Sequence, residues 1–163
     1  MLTEYLSGYR KKFLTAILCV HLVAGVFAMS MDLLYPFSPI KSTAEFINKQ
    51  KMSDLLVVGS VDYEVSPLTA YINQKIYQPQ SNKFGTFHIM KYGRENKSDE
   101  EVLDRVSELL TSIGQDVLLI SSHQIKASAP HLCISELWEF NKTIIGQNYF
   151  LYLVRKDEDI CGR

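Results

Sequence analysis

Between Phe13 and Met31 the chain runs nineteen residues, FLTAILCVHLVAGVFAMSM, without an Asp, Glu, Lys or Arg. In lipid a backbone must satisfy its own polar groups, so a segment this apolar is confined to a helix if it enters a bilayer. At 1.5 Å per residue it rises roughly 28 Å, about the thickness of the hydrocarbon core. From Asp32 onward the chain has the mixed composition of a soluble domain. In a chain of 163 residues that leaves room for one domain of about 130 residues, enough to bury a core without disulfides.

Charge gives the segment a direction. Arg10, Lys11 and Lys12 precede it against Glu4, and Lys41 lies beyond it against Asp32 and Glu45. The positive-inside rule then makes residues 1–12 a cytoplasmic basic flank, 13–31 a single transmembrane helix and 32–156 an exoplasmic (periplasmic or lumenal) domain, with 157–163 a polar tail. Tyr5 and Tyr9 at one end, and Tyr35 and Phe37 at the other, are placed as interfacial aromatics. His21 reads as a neutral imidazole tolerated or bonded within a helix pair. A cleaved signal peptide is the competing reading, because Val26-Phe27-Ala28 is a small-x-small site behind a basic flank. Both readings export the same domain. The lipid bilayer is the expected partner. A net charge of −1 with no basic stripe argues against nucleic acid. Of the three cysteines, Cys19 lies in the apolar segment, and Cys133 and Cys161 could pair in an oxidising compartment.

Beyond the segment, Pro36 stops the helix. Ser38-Pro39 starts another, with Ser at the cap, running to about Gln50. Leu55–Gly59 is a continuous apolar run, the pattern of a strand buried on both faces. Ser66-Pro67 opens a helix to about Asn73. Ile76–Pro79 reads as an edge strand because Pro79 cannot donate to a ladder, and Phe84–Met90 as a further strand. Ser98-Asp99-Glu100-Glu101 is a capping box, leading into an apolar stripe from Val102 to Ile113 and a stop at Gly114. Val117–Ile120 is the next buried strand. Pro130–Phe140 reads as helical through Leu132, Leu137 and Trp138. Thr143–Gly146 and Tyr149–Val154 read as a hairpin across Gly146-Gln147-Asn148. The alternation implies an α/β domain, three-layer-like, with a mixed sheet that is parallel at its centre and antiparallel at its edge.

The turn Gly59-Ser60-Val61-Asp62-Tyr63-Glu64 leaves the carboxyl end of a buried strand, where open α/β sheets place ligand crevices. Ser60, Asp62, Tyr63 and Ser66 are the candidate ligand-binding residues. The competing reading is a turn whose Ser and Asp bond their own backbone. No dinucleotide, phosphate-loop or Cys/His metal spacing is present, so no cofactor is implied. Ser121-Ser122-His123 ends the second buried strand and could be drawn with Asp62 as a Ser/His/Asp set, but no nucleophile elbow accompanies it. Polar strand termination accounts for it. Asn96-Lys97-Ser98 and Asn141-Lys142-Thr143 are glycosylation sequons.

Three segments carry a family resemblance: Pro36-Phe37-Ser38 after the membrane helix, Ser66-Pro67-Leu68-Thr69-Ala70-Tyr71, and Phe84-Gly85-Thr86-Phe87. With the order of elements around them, the chain resembles the C-terminal region of bacterial family 39, protein-mannosyltransferase-like glycosyltransferases of the GT-C fold. The resemblance implies a last membrane helix followed by an exoplasmic α/β domain. It implies a polytopic enzyme that moves sugar from a polyprenyl-phosphate donor, whose catalytic acid lies in an early exoplasmic loop. No position here matches that loop, so no catalytic residue carries over. On this resemblance the chain is a fragment-like module, non-catalytic alone, with an accessory, acceptor-contact or assembly role beside other membrane helices of a glycosyltransferase assembly. The other expectation is an exported small-ligand or glycan binding domain, released near Ala28.

Overall fold

The computed structural model describes residues 2–86 and 97–156, with the side chains of residues 9–31, 33–61, 63–86 and 97–156. It divides into two compact units between Phe37 and Ser38.

The first unit is one helix, α1 (Leu2–Leu34). Its Tyr9–Met31 portion is long and apolar enough to cross a membrane, and none of that portion's most apolar window is buried. The polar side chains within it are satisfied by the helix itself. Thr15 Oγ1 donates to Lys11 O (2.9 Å), His21 Nδ1–H to Ile17 O (2.9 Å) and Ser30 Oγ to Val26 O (2.8 Å). Such back-bonds remove the cost of presenting a bare hydroxyl or ring N–H to an apolar surrounding. Pro36 lies just beyond the last turn, which closes with Tyr35 N–H to Met31 O at 2.8 Å.

The second unit is built on a sheet of six strands in the order β3-β2-β1-β4-β6-β5. These are β1 (Leu56–Gly59), β2 (Ile76–Gln78), β3 (Lys83–Gly85), β4 (Val117–Ser121), β5 (Leu132–Phe140) and β6 (Tyr149–Lys156). β1 runs parallel to β2 and β4, while β2–β3, β4–β6 and β5–β6 are antiparallel. The sheet is thus parallel at its centre and antiparallel toward both edges.

Alternate residues of the central strands feed two apolar layers, which is why their sequences are continuously apolar. Val58, Val117, Leu119, Phe150 and Tyr152 face α5 (Asp99–Ile113), whose Val102, Leu103, Val106 and Leu110 cover them. Val57, Leu118, Ile120, Tyr149 and Leu151 face the opposite layer. That layer is α2 (Ile40–Lys49) and a segmented run of short turns: α3 (Asp62–Val65), a 3-10 turn (Ser66–Leu68) and α4 (Thr69–Ile72). α5 carries its full capping box, with Ser98 Oγ accepting from Glu101 N and Glu101 Oε2 accepting from Ser98 N, and it ends at Gly114 with φ +66°. That left-handed conformation is one a Cβ disfavours.

Several expectations are corrected. Residues 130–140 are not helical: Leu132–Phe140 is the long edge strand β5. A bulge between Glu136 and Trp138 breaks its register. Before the bulge Leu132 and Ile134 face the α5 layer. After it Phe140 faces the other, where Phe46 of α2 meets Trp138 and Phe140 with ring centroids 5.9 and 6.0 Å apart. The extra residue erases the period-2 signal and leaves a spacing that imitates a helix. The closing hairpin is therefore β5–β6 across residues 141–148. Thr143–Gly146 is a turn within that connection, held by Thr143 Oγ1 to Gln147 O at 2.8 Å. β2 is not an edge, because β3 pairs with it, and Pro79 falls just past its last paired residue. The strand expected over Phe84–Met90 is seen as Lys83–Gly85, and residues 87–90 lie outside the described set. α2 begins one residue later than expected, with Pro39 in the cap position and no side-chain cap. The helical run expected from Ser66 begins at Asp62.

Gly59, at the end of β1, is closely approached by Val65 and Ile76 of the layer opposite α5. A Cβ there would lie 3.0 Å from Val65 Cβ and 3.1 Å from Ile76 Cγ2. Gly59→Ala is expected to cost about 1–3 kcal/mol by overpacking. Urea denaturation checks this, the midpoint falling with little change in slope.

Candidate functional site

The order of strands reverses at β1. The chain crosses from β1 to β2 on one side, and β4 takes the place on the other. The carboxyl ends of β1 and β4 lie side by side, with Gly59 opposite Ile120. A crevice of about 450 Å³ opens there. Tyr63, Glu64 and Pro67 from the segment after β1 line it, with Ser122 from the segment after β4. Ile145, Gly146, Gln147 and Asn148, which lead into β6, form another wall, and Ile40 of α2 completes it.

The turn after β1 is tightly built. Ser60 N–H donates to Ile120 O at 2.8 Å, carrying the β1–β4 ladder one residue further. Val61 then adopts φ +65°, a left-handed conformation that costs a β-branched residue about 1–3 kcal/mol. It starts α3 at once, with Glu64 N–H donating to Val61 O at 3.0 Å. Val61 itself is buried, which helps to hold the strained turn in place.

Of the four candidate residues, Tyr63 lines the crevice with its ring about half exposed (46 %). Ser60 and Ser66 are buried and do not line it. Ser66 Oγ accepts from Gln78 Nε2 at 3.1 Å, a bond that joins the 3-10 turn to β2. Asp62 opens α3, and its side chain lies outside the described set. Glu64, Ser122, Gln147 and Asn148 also line the crevice, and sequence reasoning misses all four as ligand contacts. The last two fall in the expected turn Gly146-Gln147-Asn148, but nothing local in the sequence shows that this turn reaches the carboxyl ends of β1 and β4.

Glu64 is the carboxylate of the crevice. The Tyr63 phenol hydrogen-bonds to it, and that bond, with the charge behind it and some burial, raises the phenol's pKa above its usual value. The Glu64 backbone carbonyl accepts from the hydroxyl of Tyr149, a fully buried residue at the start of β6. Burial first, and the Glu64 charge second, push the Tyr149 hydroxyl far above the ordinary phenol range. One hydrogen bond thus ties the segment after β1 to the strand across the crevice.

The segment after β4 is held from the other layer. Asp99, in the first turn of α5, receives His123 Nε2 at 2.7 Å on one oxygen and Lys126 N–H at 3.2 Å on the other. Ile125 N–H donates to Tyr152 Oη at 3.1 Å, and His123 N–H to Ser121 Oγ at 3.3 Å. The imidazole is engaged by Asp99, so the described contacts do not join it to a serine hydroxyl as a nucleophile–base pair would require. Among the described residues no group of three His, Cys, Asp or Glu side chains is placed to hold a metal ion.

Cys133 in β5 is disulfide-bonded, whereas Cys19 in α1 is a free thiol. Cys161, the expected partner of Cys133, and Asn96 of the first sequon lie outside the described residues. Asn141 of the second sequon is exposed, with Nδ2 donating to Glu139 Oε1 at 2.9 Å.

Comparisons of the chain with protein-family models, with curated proteins and with solved structures find no match.

Because the Tyr149 pKa is raised in the folded state, the folded chain holds that proton where the unfolded chain releases it. Stability from this group is complete below the ordinary phenol pKa near 10 and declines as pH rises beyond it, by up to about 1.4 kcal/mol per pH unit. Tyr149→Phe removes that decline, which urea titrations between pH 9 and about 11.5 measure. Glu64→Gln is expected to lower the Tyr63 pKa toward its usual value, read by difference absorbance of the phenolate against Tyr63→Phe.

Proposed function

We propose that the chain is a membrane-tethered module whose α/β domain faces the exoplasmic side and binds a polar ligand beside a lipid-linked sugar transferase, without transferring sugar itself. The observation that carries this reading is the combination of an unburied apolar helix with a separate α/β unit bearing a crevice at its strand reversal. The charge bias across residues 10–45 supports the orientation. The disulfide at Cys133 supports an oxidising compartment. The likeness of Pro36–Ser38 and Ser66–Tyr71 to the family 39 glycosyltransferases supports the sugar-transfer setting. That likeness supplies no catalytic position.

A second reading rests on Val26-Phe27-Ala28: cleavage there would release the domain, and mass spectrometry would find a mature N-terminus at Met29.

Incubation of the full chain with a polyprenyl-phosphate sugar and acceptor saccharides is expected to give no product, and robust transfer by the chain alone contradicts the reading. Cys133 is expected to resist alkylation in protein taken directly from cells until a reductant is added. Immediate alkylation of Cys133 would place the domain in a reducing compartment.

A further inference from the structure

We propose that the crevice between the β1 and β4 ends binds an uncharged saccharide and rejects phosphate-bearing ligands. Resting on the tethered-module reading, this assigns the crevice to the acceptor of sugar transfer and not to the lipid-phosphate donor.

The groups lining the crevice match those of a sugar. A volume of about 450 Å³ accommodates a sugar unit or two and falls within the usual range of small-molecule sites. A sugar hydroxyl both donates and accepts, so a site for it needs both kinds of group in alternation. Glu64 supplies acceptors only, the Gln147 and Asn148 amides and the Ser122 hydroxyl supply both, and the Tyr63 phenol, which gives its proton to Glu64, offers its oxygen as an acceptor. Ile40, Pro67 and Ile145 provide apolar wall for the C–H faces of a pyranose ring.

Charge separates the ligand classes. Among the described residues no Lys, Arg or His lines the crevice, and its ionisable carboxylate belongs to Glu64. A phosphate there would meet a like charge with no lining cation to offset it, whereas phosphate sites rely on Arg, Lys or converging backbone amides. A neutral polyol gains the hydrogen bonds without that penalty.

The site is also held in shape before a ligand arrives. Tyr149 anchors the Glu64 carbonyl from β6, Tyr63 engages the Glu64 carboxylate, and Asp99 pins the segment beyond Ser122. Less ordering remains to be done on binding.

The test is ligand-observed NMR and titration on the full chain in a sugar-free detergent. The probes are methyl glucoside, methyl galactoside and cellobiose, against glucose 1-phosphate and glucuronate. At least one neutral probe is expected to bind in the millimolar range or tighter, at least tenfold more strongly than its charged counterpart. Gln147→Ala with Asn148→Ala is expected to weaken that binding about tenfold, as loss of two neutral hydrogen bonds does, with thermal unfolding unchanged. Glu64→Gln is expected to narrow the gap between neutral and anionic probes. Equal or tighter binding of the phosphate or the uronate overturns the proposal. So does neutral binding that survives the crevice variants, or the failure of every neutral probe. These outcomes are independent of membrane orientation and of transfer activity, so a failure of saccharide binding is distinguishable from a failure of the tethered-module reading.

Discussion

Two short strands, β1 and β4, must be covered on both faces, and the arrangement of the second unit follows from that demand. Val57, Val58, Val117, Leu118, Leu119 and Ile120 are all fully buried. At about 25 cal/mol per Å² of apolar surface, each such side chain contributes about 1.5–3 kcal/mol when taken out of water. A single layer of helices could serve only half of them. α5 therefore packs on one face, while α2 and the short helical turns after β1 pack on the other. The antiparallel strands β3, β6 and β5 extend the sheet outward; β6 is still largely buried, whereas burial declines at the edges β3 and β5.

The same requirement creates the crevice. Helical coverage on opposite faces sends the connection after β1 one way and brings β4 in from the other. The segments leaving their carboxyl ends diverge, and the gap between them is what an open α/β sheet offers a ligand. Close approach then dictates local chemistry. Gly59 has no room for a Cβ against Val65, and Val61 accepts a strained backbone so that α3 can begin immediately. Tyr149 and Asp99 each reach across from another element to fix one lip of the gap.

How much the sequence reveals depends on how local the controlling physics is. The both-face strands, the capping box at Ser98–Glu101 and the glycine stop at Gly114 are local and legible. The β5 bulge is not, because one added residue shifts Trp138 and Phe140 to the other face and turns an alternating pattern into a helix-like one. A helix over 130–140 in turn misplaces the strand that pairs with β6, so the turn holding Gln147 and Asn148 is expected but not its place beside the crevice. Tyr63 is legible because it lies directly after a buried strand. The same rule selects Ser60 and Ser66, yet burial and the bonds to Ile120 and Gln78 make them supports of the fold and not part of the crevice lining. The Asp99–His123 pair joins residues 24 apart in sequence and leaves no local trace.

For the tethered-module reading, the apolar helix must hold the α/β unit on the far side of a membrane from Arg10–Lys12. The most direct measurement is a paired reporter fusion after Lys156, with alkaline phosphatase in one version and a fluorescent protein that matures only in the cytoplasm in the other. A tethered exoplasmic domain predicts an active phosphatase, a dark fluorescent fusion, and both products in the membrane fraction. A bright fluorescent fusion with an inactive phosphatase would contradict it.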